Sequence, residues 1–181
     1  MISSQNIIYL TSTMFQFDEK RYLQEQERIE IFHHFYDFTV KNIEKRGGKI
    51  ESIHELLINS YWEVDESNLE NMIENVLLFA AELMHFWIGP LKIRSAGLFF
   101  VGELTGAVRF NNIGTNNLLV HSGKAISYCH EQVRNLENYK KGTFLIGERI
   151  CKYIDQYDII KGGIIEAEII SDNKLKFLKF L

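Results

Sequence analysis

Ser122-Gly123-Lys124 joins a short apolar run to an amphipathic one, a place where a phosphate can rest. The free backbone N–H groups at the start of a helix attract anions, and Lys124 adds an amine beside them. A Walker A loop needs another glycine five residues before Gly123, and that position is Leu118. A tight strand-to-helix turn is therefore the preferred reading, with Lys124 kept as a candidate phosphate contact. His33, His34, His54, His121 and His130 raise the question of a metal, but none forms a His-x-x-x-His or His/Cys pair at ligand spacing. They read as structural or surface histidines. Cys129 and Cys151 share no Cys-x-x-Cys pattern and read as reduced packing residues. No Gly-x-Ser-x-Gly elbow is present.

The elements that must hold these groups follow from periodicity. Asn6–Leu10 is apolar and β-prone, a first strand. Arg21–Arg46 carries Ile29, Phe32, Tyr36, Val40 and Ile43 at helical spacing and stops at Gly47-Gly48. Lys49–Ile53 and Leu56–Trp62 predict a hairpin. A second helix starts at Ser67, with Glu70 three residues on as a capping box, and ends at Gly89-Pro90. Ile93–Val101 and Leu104–Phe110 read as paired strands, followed by a polar loop over Asn111–Asn117 and a short strand at Leu118–His121. A third helix follows, marked by Ala125, Ile126, Cys129, Val133 and Leu136. Then come a strand at Thr143–Ile146, a short helix at Gly147–Ile154, and a terminal pair, Ile159–Ile170 with Lys174–Phe180. Lys174, Lys176 and Lys179 in the last segment suggest a lysine-protected edge. This alternation of strands and helices predicts an α+β sandwich, with helices covering one face of a mainly antiparallel sheet.

The 181 residues fit one domain, 1–181, with a full core. Hydrophobic residues at 46% and charged residues at 24% are ordinary for a globular chain, and a net charge of −4 argues against nucleic acid as a main partner. The start MISSQNIIYL lacks the basic and apolar regions of a signal peptide, so a cytoplasmic location is expected. The longest apolar run, Asn75–Leu91, contains Glu82 and His85 and reads as a buried helix, not a membrane span.

Several segments together resemble the class III nucleotidyl cyclase homology domain. Gly47-Gly48 precedes a hairpin where that family often has a glycine pair. Ile93-Arg94-Ser95-Ala96 followed by Gly102-Glu103 resembles the "iRgaI…Ge" strand of compact bacterial members, including the pyrimidine cyclases of Pycsar phage-defence systems. Gly123-Lys124-Ala125-Ile126-Ser127 resembles "G-x-A-x-N", and Lys141–Ile146 resembles the "G-x-i-l-i-s" strand. The resemblance spans nearly the whole chain and implies a ferredoxin-like βαββαβ core with C-terminal additions. It also implies a two-metal site that activates the ribose 3′-hydroxyl, with Mn²⁺ or Mg²⁺ held by two aspartates.

Those positions are altered here. Thr11 or Ser12 falls where the first aspartate belongs, and a hydroxyl is a poor ligand for hard cations. Glu55 is the carboxylate nearest the second and reads equally as an exposed turn residue; Asp18 is a distant substitute. Ser127 and Glu131 occupy the family's asparagine and arginine positions on the third helix. A carboxylate there opposes the charge that develops on the transferring phosphate. Arg134 is a compensating candidate or a solvated face residue. The resemblance thus implies a degenerate, non-catalytic regulatory or dimerisation module. It would need no cofactor, keeps a nucleoside triphosphate near Lys124 as a candidate ligand, and would pair with itself or with a cyclase-like subunit. The alternative is an active Pycsar-like enzyme that uses Mn²⁺ or Mg²⁺ to cyclise a pyrimidine nucleoside triphosphate to its 3′,5′-cyclic monophosphate.

Overall fold

The computed structural model describes residues 2–15, 25–88, 97–113, 118–136, 143–147, 149–150, 153, 165–170 and 175–180. Asp18, Cys151 and the segment 91–96 lie outside them, as does most of the helix expected at Gly147–Ile154. The elements are β1 (Ile2–Phe15), α1 (Glu25–Lys45), β2 (Lys49–His54), β3 (Leu57–Val64), α2 (Leu69–Ile88), β4 (Gly97–Ile113), β5 (Leu118–Ser122), α3 (Lys124–Arg134), β6 (Thr143–Gly147), β7 (Ile165–Ile170) and β8 (Leu175–Phe180). The strands form one sheet in the order β2-β3-β1-β4-β6-β8-β7, with β5 also paired to β4. The first four strands give the ferredoxin-like order β2-β3-β1-β4, as expected of a βαββαβ core. β4–β6 is a parallel pair, and the remaining pairs are antiparallel.

β1 runs through the middle, and its alternation divides the core. Ile8 and Leu10 face α1 and α2, in a cluster with Phe35, Ile43, Ile58, Trp62, Ile73, Val76, Phe79 and Leu83. Ile7 and Tyr9 face the other way and pack with Tyr61, Val101, Ile126, Cys129 and Leu145. The helices therefore cover both faces of the sheet, not one. The buried stripe of α1 is Phe35, Thr39 and Ile43, while Ile29 is 53% exposed.

Three local expectations change. Ile93–Val101 and Leu104–Phe110 are not a hairpin: Gly97–Ile113 is one 17-residue strand that pairs with β1 from Gly97↔Phe15 to Phe110↔Ile2. Gly102 marks a close approach rather than a turn, since a Cβ there would stand 3.2 Å from the Leu10 side chain. β8 is no edge strand, because it lies between β6 and β7 and its backbone groups are used on both sides. The cap of α2 is Asp65 rather than Ser67: its Oδ1 accepts from the Ser67 N–H at 2.8 Å and the Asn68 N–H at 3.0 Å.

The α1–β2 corner depends on the glycine pair. Gly47 has φ 76, the left-handed region that ends a helix at little cost to glycine. At Gly48 a Cβ would come within 2.5 Å of the Trp62 ring and 2.7 Å of Ile43. The indole N–H of Trp62 then donates to the Arg46 carbonyl at 3.0 Å, satisfying one of the orphan acceptors at the helix end. Gly48→Ala is expected to lower stability by about 1–3 kcal/mol through overpacking, read as a lower midpoint in urea unfolding. An unchanged midpoint would mean that Trp62 can move aside.

Candidate functional site

The site begins at an irregularity in β2. Its pairing with β3 shifts register between Ile50 and Ser52, which leaves Glu51 outside the ladder. A bulge of this kind re-aims a side chain. Here it places Glu51, 9% exposed, among partners from two other strands. The Tyr9 hydroxyl donates to its Oε2 at 2.7 Å. Its Oε1 receives the His121 backbone N–H at 2.8 Å and lies 3.0 Å from His121 Nδ1. The His121 side chain is fully buried, tilted 4.3 Å from the Tyr61 ring, with Gln5 Nε2 2.9 Å from its Nε2.

These contacts define a direction for each proton. Glu51 can only accept, so His121 carries its hydrogen on Nδ1, and Nε2 accepts from the Gln5 amide. Tyr9 gives its one hydroxyl proton to Glu51, so its oxygen accepts from His130 Nε2, 3.0 Å away. His130 then keeps an unprotonated Nδ1. The chain of donors thus ends at a single anion. Burial raises the Glu51 carboxyl, but the bonds from the His121 ring, the Tyr9 hydroxyl and the His121 backbone N–H outweigh it, and the net shift is downward. Burial, then the Glu51 charge, pushes the Tyr9 hydroxyl well above its ordinary value, so it stays protonated. Burial lowers His130, with Arg134 adding to the effect and Glu51 opposing it. The Cys129 thiol, buried beneath, is pushed up to about 12 by burial and by Glu103, and is an inert packing group.

A cavity of about 470 Å³ opens above this network. Its floor is the sheet: Tyr9, Glu51, Ser52, Asn59 and His121. One wall is α3, through His130, Val133 and Arg134. Residues four apart share a helix face, which brings His130 and Arg134 together. α3 starts against β4, where Gly123 passes 3.1 Å from the Gly106 carbonyl measured from the Cβ position it lacks.

The sequence-derived candidates are largely dispersed. Thr11 is fully buried on the cavity side of β1, where its hydroxyl donates to Asn59 Oδ1 at 2.8 Å. Asn59 in turn donates to Ser52 Oγ at 3.0 Å. Ser12, buried on the opposite face, has no partner for its hydroxyl among the described residues. Glu55 sits exposed at the β2–β3 turn with φ 50, and its charge acts on Tyr36 of α1. Lys124, Ser127 and Glu131 are exposed and do not line the cavity; Arg134 does. The structure also brings in Tyr9, Glu51, His121 and His130, which sequence reasoning left out or took as packing or surface residues. A carboxylate one step from a bulge carries no distinctive pattern, so nothing in the sequence could have singled out Glu51.

These residues do not suit a Mg²⁺ or Mn²⁺ pair. Thr11 donates to Asn59, Glu55 is exposed at the β2–β3 turn, and Glu51 already accepts from three donors. Among the described residues no group of three or more His, Cys, Asp or Glu side chains is arranged to hold a metal. No helix among them is long and apolar enough to cross a membrane.

No family model matches the chain, and no curated protein does. Solved structures do. The adenylyl cyclase CyaB from P. aeruginosa aligns at a TM-score of 0.75 and 11% identity, covering 100% of this chain and 96% of that one. A double mutant of the guanylyl cyclase domain of the RhoGC fusion protein from the aquatic fungus Blastocladiella emersonii, crystallised as a monomer, aligns at 0.72 and 9%, covering 99% and 97%. The guanylate cyclase domain of RhGC from Catenaria anguillulae, in complex with GTP, aligns at 0.69 and 9%, covering 98% of both chains. The chain carries the fold of class III cyclase domains.

Glu51→Ala would remove the acceptor of the Tyr9 hydroxyl and of two His121 N–H groups in the interior and is expected to cost about 2–4 kcal/mol in urea unfolding. A carboxyl with a lowered folded value contributes stability above the ordinary glutamate value, about 4.3, and loses it as pH falls through the lowered one. Glu51→Gln should therefore flatten the acid side of the stability profile, and an unchanged acid slope would exclude Glu51 as its source. By ¹⁵N NMR, His130 should titrate below an ordinary histidine and hold its proton on Nε2. A proton on Nδ1 would reverse the assigned direction of the chain.

Proposed function

We propose that the chain, as a single module over residues 1–181, is a non-catalytic cyclase-fold domain that acts through binding and pairing rather than cyclisation. The observation that carries this reading is the state of Thr11. Where the cyclase resemblance implies a metal-holding carboxylate on the first strand, a buried hydroxyl donates to Asn59 at 2.8 Å. Glu131 supports it: the resemblance implies a cation at this position of α3, and the residue is an exposed carboxylate outside the cavity lining.

The fold supplies the rest of the reading. A cyclase-fold module that keeps its scaffold while losing its charge-stabilising groups retains the surfaces by which it pairs, with itself or with a catalytic subunit of the same fold. Function is decided at the site rather than by the fold. We place any nucleotide contact at the cavity lined by His130 and Arg134, not at Lys124, which lies outside it.

The test is incubation of the folded protein with ATP, GTP, CTP and UTP in turn, with Mn²⁺, and mass spectrometry for cyclic products. No product from any triphosphate is expected. A cyclic nucleotide that disappears in Glu55→Ala would sink the non-catalytic reading and establish Glu55 as a metal ligand. Light scattering across a concentration series, alone and with a cyclase-fold subunit, reads the pairing; a strict monomer in both would remove that part.

A further inference from the structure

The cavity between the β2–β3 hairpin and α3 is a built site. Its volume of about 470 Å³ lies within the range of small-molecule pockets, roughly 300–1,000 Å³. Its groups sort by what they have left to offer. Glu51 and His121 are used up by one another and by Tyr9 and Gln5. Ser52 Oγ accepts from Asn59 and keeps its own proton to donate; Asn59 uses one amide hydrogen there and keeps the second. Arg134 brings a guanidinium to the rim, and His54 a second donor-bearing group. Among the lining groups His130 Nδ1 is an acceptor without a hydrogen, because the ring proton is on Nε2 toward Tyr9. Leu57 and Val133 line the same space with apolar surface.

We propose that this cavity binds a phosphate monoester carried on a flat apolar body, without a metal ion. Arg134, with Ser52 and Asn59, takes the phosphate oxygens. Leu57, Val133 and the Tyr9 ring take the body. His130 Nδ1 accepts one O–H or N–H of the ligand. Several donors of different geometry suit a three-oxygen anion, and the guanidinium suits it bidentately. Glu51 and the Tyr9 hydroxyl are positioning groups: they act on the ligand through His130, which they hold in the tautomer that leaves Nδ1 free. This inference rests on the proposed non-catalytic reading in one respect, that no metal shares the site.

The experiment titrates the full chain in EDTA with phenyl phosphate, and with inorganic phosphate and phenol as its two halves, followed by ¹H–¹⁵N NMR. Saturable shifts at His130, Val133 and Asn59 are expected with phenyl phosphate, and weaker binding with either half. Arg134→Ala should weaken binding about tenfold or more, since a hydrogen-bonded charge is lost. Arg134→Lys should recover part of it. Lys41→Ala, which removes one exposed charge from α1, should change nothing. Tyr9→Phe should shift the His130 tautomer population together with affinity, which a merely structural role for Tyr9 would not do. The amide spectrum of each variant verifies its fold. No saturable binding in EDTA would overturn the proposal and leave the non-catalytic reading standing. So would equal losses in the Arg134 and Lys41 variants, which would reduce the effect to surface charge. Binding that appears only with Mn²⁺ would overturn both.

Discussion

One buried carboxylate organises this molecule's polar interior. Glu51 accepts from Tyr9 on β1 and from both the backbone and the ring of His121 on β5. The partners lie 42 and 70 residues away, so each bond closes a long loop. A carboxylate is an anion that can take several donors and give none, which makes it a natural end point for a chain of oriented protons. Taking that charge out of water is costly, and only full pairing makes it tolerable. The arrangement is therefore all-or-none: remove one donor and the remaining partners face an unsatisfied charge. α3 feels this constraint through His130, whose orientation follows from the Tyr9 hydroxyl.

The apolar architecture makes that carboxylate possible. β1 is flanked by β3 and β4 along its length, and its two faces feed separate clusters. The face under α1 and α2 is packed with Trp62, Phe35 and Phe79 and is sealed at the corner by Gly48. Across the helix pair, Phe38 stacks on Phe86 at 3.9 Å and Arg46 pairs with Glu82. The face under α3 is covered by one 11-residue helix and remains partly open beside the β2–β3 hairpin. On the half-closed side the sheet leaves room for a ligand, and the polar network lies at the floor of that space.

The fold of class III cyclase domains here carries a buried polar network centred on Glu51. Metal-assisted cyclisation needs carboxylates free to hold cations and a cation on α3 to meet the developing charge. Here the buried carboxylate is committed to neutral donors, the β1 hydroxyl to an amide, and the α3 carboxylate to solvent. The cavity beside it is lined by the donors of Arg134, Ser52 and Asn59 together with the His130 ring.

Element order, the glycine corner and the three helices were legible in the sequence, because hydrophobic period and glycine punctuation act over a few residues. So were the hydroxyl of Thr11 and the carboxylate of Glu131, since a residue type cannot be changed by folding. The tertiary structure alone decided that Gly97–Ile113 is one strand, because β1 proved long enough to pair both halves. It alone set β8 inside the sheet and α3 on the opposite face from α1 and α2. It alone made a site of Tyr9, Glu51, His121 and His130, which are ordinary residues until a one-residue register shift in β2 turns a carboxylate toward them. Residue type and local period are properties of short segments. Register, strand neighbours and the direction of a buried proton depend on segments far apart in the chain, and exist only once those segments meet.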